Sequence, residues 1–69
     1  MQNFFASYGD LPLTLNAEEV ANVLSISRAN AYTLLHSKGF PALRIGRRIL
    51  VPRDSLISWI QANINKEVL

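Results

Sequence analysis

The chain has 69 residues, 49% of them apolar, and seven Lys and Arg against five Asp and Glu give a formal net charge of +2. A domain this small buries only ~60% of the surface its unfolded chain exposes, which argues against a deep catalytic cleft. The absence of cysteine excludes disulfides, thiolate metal sites and a cysteine nucleophile. His36 is the only histidine and has no cluster of carboxylates beside it to complete a metal site. No apolar run approaches the ~20 residues of a membrane span. No basic segment leads into an apolar one at the N-terminus, as a secretory signal requires. The expectation is a small, soluble, cytoplasmic binding module without metal or cofactor.

Residues 1–12 lack periodicity and are punctuated by Gly9, Asp10 and Pro12, so they read as a flexible arm, with Phe4, Phe5 and Tyr8 free to dock on the domain or a partner. The folded domain is expected over residues 13–64 and a frayed tail over 65–69. Leu13-Thr14-Leu15 alternates as a short strand does. Asn16 is placed to cap a helix, with Glu19 at the capping-box position. Glu18 and Glu19 suit the positive end of the helix dipole. Val20, Val23 and Leu24 then give an apolar stripe, which predicts a first helix over Ala17 to Leu24.

Ser27 is a second N-cap, and Ala31, Leu34 and Leu35 share a face of a second helix from Arg28 to about Ser37. Gly39 and Pro41 stop it. Helices this short persist only by packing on each other. A connection of Ser25 to Ser27 forces a steep crossing, as in a helix-turn-helix, with Val20, Leu24, Ile26, Ala31 and Leu34 between the helices. Ser25 stands where glycine is common in such turns, so either it takes an uncommon backbone conformation or the turn differs from the commonest type. Ala42–Ile45 and Ile49–Val51 read as strands of a hairpin turning at Gly46-Arg47-Arg48. Leu43 and Ile45 fall on one face, Ala42 and Arg44 on the other. Pro52 ends the second strand. Leu56, Trp59, Ile60 and Ile64 stripe a third helix over Arg53 to Ile64. The fold class is mainly α with a small β-hairpin, in the order β-α-α-β-β-α.

The charge is unevenly spread. No acid lies between Val20 and Arg53, whereas Arg28, Lys38, Arg44, Arg47, Arg48 and Arg53 give that stretch a local charge of +6. A field of one sign points to a polyanion, and nucleic acid is the commonest. The outer face of the second helix carries Ala29, Tyr32, Thr33 and His36, flanked by Arg28 and Asn30, and no acid. Arg28 suits a bidentate contact to guanine and Asn30 one to adenine, while Ala29 suits a thymine methyl. Ser27 and Tyr32 suit phosphate. His36, near the helix end, reads as a partner of the dipole rather than a base reader. At the hairpin tip, adjacent Arg47 and Arg48 exceed what a turn needs and suit a narrowed minor groove and its phosphates. The plainer alternative is a pair of charges that discourage edge-to-edge aggregation. Asp10, Glu18, Glu19 and Asp54 offer no convincing acid–base pair, so no enzyme is expected.

Four stretches carry a family resemblance: Leu15-Asn16-Ala17-Glu18-Glu19-Val20-Ala21, Ile26-Ser27-Arg28-Ala29-Asn30-Ala31-Tyr32, Pro41-Ala42-Leu43-Arg44-Ile45-Gly46-Arg47-Arg48 and Asp54-Ser55-Leu56-Ile57-Ser58-Trp59-Ile60. Together they resemble the excisionase-type (Xis-like) DNA-binding domains, small relatives of the MerR-like winged-helix proteins. The resemblance spans Leu15 to Ile60; the arm before Leu13 falls outside it. It implies a winged helix-turn-helix, whose second helix enters the major groove of double-stranded DNA through Ser27, Arg28, Asn30, Tyr32 and Thr33. It implies that the wing meets the neighbouring minor groove through Arg44, Gly46, Arg47 and Arg48. Such proteins bind repeated sites, often with further copies of themselves, bend the DNA and assist a tyrosine recombinase in excision. Small prophage or plasmid transcription regulators share the same surface. The run after Ile64 is short, a departure from the family pattern where a recombinase-contacting tail would stand. A protein-interaction module with its basic face turned to an acidic partner is the alternative from another class.

Overall fold

The computed structural model describes residues 8–69. A 3-10 turn over Tyr8–Asp10 leads into β1 (Thr14–Leu15), α1 (Ala17–Leu24), α2 (Arg28–Leu35), β2 (Leu43–Ile45), β3 (Arg48–Pro52) and α3 (Arg53–Ala62). The three strands form an antiparallel sheet in the order β1-β3-β2, so the last strand in sequence is the central one. The element order matches the expectation, and the winged helix-turn-helix class with it.

Each helix start has a local cause. Asn16 is extended, its Oδ1 accepts from the Glu19 amide at 2.8 Å, and Glu19 Oε1 accepts from the Asn16 amide at 2.9 Å, a complete capping box. Ser27 Oγ accepts from the Asn30 amide at 3.1 Å and caps α2. Between them Ser25 is left-handed at φ 56°, ψ 44°. Its amide and that of Ile26 both reach the Ala21 carbonyl, which closes α1 in a single residue. α3 starts directly from the strand, with Pro52 at its N-cap and no side-chain cap bond.

One core holds these pieces. Leu15, Val20, Leu35, Val51 and Leu56 are fully buried, and each such side chain contributes about 1.5–3 kcal/mol relative to an exposed one. Val20, Ala21, Ala31 and Leu34 fill the crossing of α1 and α2, with Leu24 and Ile26 packed at its rim. The Phe40 and Trp59 rings meet edge to face at 4.8 Å and pin α3 to the segment after α2.

Several boundaries differ from the sequence reading. α2 ends at Leu35, two residues early, because the Ser37 hydroxyl and amide both go to the Leu34 carbonyl and stop the helical ladder. α3 ends at Ala62, where the Asn63 side chain donates to the Trp59 carbonyl at 2.8 Å. Ile64 therefore lies beyond the helix and is 62% exposed rather than part of its apolar stripe. β2 begins at Leu43, and β3 extends from Arg48 to Pro52. The core also reaches further back than Leu13. Leu11 is 4% exposed, and its carbonyl accepts from Arg53 Nη1 at 3.0 Å. Phe4 and Phe5 lie outside the described residues, and so does the Tyr8 side chain.

Candidate nucleic-acid interface

The outer face of α2 is set by what the other face buries. Ala31, Leu34 and Leu35 point into the core, which leaves Arg28, Ala29, Asn30, Tyr32, Thr33 and His36 exposed, with Ser27 at the start. These groups are not equally available. The Ser27 oxygen is used as a cap acceptor, so its hydroxyl proton remains to give. Thr33 Oγ1 donates to the Ala29 carbonyl at 3.1 Å, so it offers a ligand acceptor capacity only. Arg28 Nη2 lies 3.4 Å from Glu18 Oε1 of α1. The Asn30 side chain and the Tyr32 ring have no polar partner among the described residues.

The hairpin turns through Gly46 and Arg47, because Ile45 pairs with Arg48. Gly46 has φ +58° and Arg47 has no positive φ, the pattern of a II′ turn with glycine at its first central position. Opposite residues share a face, so Arg44, across from Ile49, lies on the side of the buried Val51, while Ile45, Arg48 and Leu50 lie on the outer side. The three wing arginines thus do not form one cluster. Arg44 faces α2, with Nη2 3.3 Å from Nδ1 of His36, and ties the wing to the end of that helix. Arg47 and Arg48 are exposed and have no ion-pair or side-chain hydrogen-bond partner among the described residues.

A groove of about 310 Å³ joins the two elements. Tyr32 of α2 stands on it, and Arg47, Arg48, Ile49 and Leu50 of the hairpin form another wall. Asn16 and Ala17, at the start of α1, complete it. The groove exists because β1 pairs only with Val51 and Pro52, leaving the Arg48–Leu50 stretch of β3 uncovered on that side. Asn16 and Ala17 line this groove, a place that the sequence reading did not give them. Their local signal was structural, a helix cap, and nothing along the chain ties them to the wing.

Arg53 belongs to a different group. Its Nη1 holds the Leu11 carbonyl and its Nε lies 3.4 Å from Asp54, with the side chain only 27% exposed. The basic stretch read from the sequence therefore loses one of its charges to the fold. Among the described residues there is no group of His, Cys, Asp and Glu that could hold a metal, and no helix long and apolar enough to cross a membrane.

Two short helices crossed through a three-residue turn, with an arginine-tipped hairpin beside the second, define a helix-turn-helix with a β-wing. The chain belongs to the Helix-turn-helix domain family, which it matches over residues 14–64. That family includes excisionase-like domains. Membership points to DNA as the partner and to a domain of a typically non-enzymatic kind. No curated protein and no solved structure matches the chain.

Proposed function

We propose that this protein is a sequence-specific double-stranded DNA-binding factor of the excisionase type, which bends its target to assist a tyrosine recombinase. The observation that carries the reading is one groove shared by Tyr32 of α2, itself without acids, and by Arg47 and Arg48 of the wing, which have no side-chain partner among the described residues. α2 lies in the major groove, where Arg28 takes guanine, Asn30 takes adenine and Ala29 allows close approach. Ser27, Tyr32 and Thr33 meet the flanking backbone, Thr33 only as an acceptor. The strand between the grooves runs over Asn16, Ala17 and Tyr32. Arg47, projected by the Gly46 turn, enters the minor groove, and Arg48 holds its rim. Arg44 steadies the wing against His36.

A protein so built does no chemistry; it holds two grooves at once. Several copies on repeated sites offset a bend that costs ~1–6 kcal/mol. This role places the protein in the bacterial cytoplasm, on the nucleoid.

Selection of bound sequences from random duplex DNA, followed by a gel-based bending assay on the recovered site, tests the reading. A defined site, a bend and a salt slope of about −3 to −4.5, for roughly three to five neutralised phosphates, are expected. No measurable duplex affinity at moderate salt would refute DNA binding. A defined site that stays straight would refute the architectural role and leave a regulator that acts by occupancy.

A further inference from the structure

Arg28 is the first residue of α2, whose first turn holds no acid. A cation there opposes the helix dipole. The compensating charge comes from another helix: Glu18, in the first turn of α1, places Oε1 3.4 Å from Arg28 Nη2, with the two side chains 66% and 68% exposed. A pair this exposed adds little to stability. At 3.4 Å it is also longer than a strong charge-assisted bond, so Arg28 is parked rather than locked.

We infer that Glu18 is a specificity-determining residue, which holds Arg28 away from phosphates and releases it only to a guanine edge. The inference rests on the DNA-binding reading. A phosphate offers Arg28 a single negative charge, which Glu18 already supplies, and its approach brings a second anion against the Glu18 carboxylate. Guanine offers paired O6 and N7 acceptors, which one loose contact to Glu18 does not match. The exchange is favourable on the correct site and unfavourable elsewhere.

The test compares Kd over a salt series on two duplexes, the site recovered by selection and a random sequence of equal length. On random DNA, Glu18→Gln frees Arg28 to meet a phosphate, so the salt slope steepens by about 0.9. Affinity there rises about 3- to 10-fold, while affinity for the site changes less than twofold, so the specificity ratio falls about 3- to 10-fold. Glu18→Asp separates the contact from net charge: it keeps the carboxylate but shortens its reach. It is expected to follow Glu18→Gln. Circular dichroism confirms that both variants fold. A ratio within twofold of the parent for Glu18→Gln overturns the inference. So does a Glu18→Asp variant that behaves as the parent, because the effect is then one of charge alone. A parent chain with no salt-dependent duplex binding refutes the DNA reading instead, and the two failures are distinct.

Discussion

Replacing Arg47 and Arg48 together by Ala removes the two wing guanidiniums that have no side-chain partner among the described residues. Both are exposed, so the fold does not depend on them, and each change is expected to alter stability by no more than about 0.5 kcal/mol. Binding should respond very differently. Each phosphate left without its guanidinium lowers the salt slope by about 0.9, so the double variant is flatter by about 1.8. A rise in salt from about 50 to about 200 mM is roughly fourfold, and over that interval the affinity of the parent falls about 12-fold further than that of the variant. The weakening is felt on all sequences, the Arg48 share equally because phosphates carry no base identity, and the Arg47 share most where the minor groove is narrow. Fluorescence anisotropy over a salt series, on the selected site and on random duplex, gives both slopes. Equal slopes for variant and parent would show that the wing does not touch DNA. A control is Arg53→Ala, which removes one positive charge, half that of the double variant, from a side chain committed to Leu11. That variant should lose about 1–2 kcal/mol of stability by thermal melting and keep the parent slope. A slope flatter by about 0.9, half the effect of the wing variant, would mean that the assay reads net charge only.

Other consequences follow from single positions. Arg28→Ala should relax base preference at one position of the selected site by about 1–3 kcal/mol, read by repeating the selection, and an unchanged preference moves the reading helix elsewhere. Ser25→Gly relieves the left-handed strain of a residue with a Cβ, about 1–2 kcal/mol, against an added unfolded-state entropy of about 0.4–1 kcal/mol. A melting temperature higher by about 2–6 °C is expected, and a decrease would show that Ser25 contributes through its hydroxyl. Asn16→Ala breaks the capping box and should cost about 1 kcal/mol, a drop of about 4–8 °C. An unchanged melting temperature would show that Glu19 alone caps α1.

What could be read along the chain is what short-range chemistry decides. The start of α1 follows from Asn16 and Glu19, the start of α2 from Ser27, and the turn of the wing from Gly46, because a cap or tight turn closes within about four residues. The free face of α2 followed as well, since Ala31, Leu34 and Leu35 leave only one side for water. The end of α2 was misplaced because periodicity does not register the Ser37 hydroxyl competing for the Leu34 carbonyl.

The different surroundings of the arginines were not legible. Six cations in one acid-free stretch look alike in sequence. The register of β2 on β3 turns Arg44 toward His36 and Arg48 to the other face. The packing of α3 takes Arg53 to a carbonyl 42 residues away. The crossing of α1 over α2 sets Glu18 beside Arg28. Composition established that the chain is cationic and local spacing established its helices and hairpin. Which charges take an internal partner was decided by contacts between distant segments, because a guanidinium binds whatever acceptor the fold brings within reach.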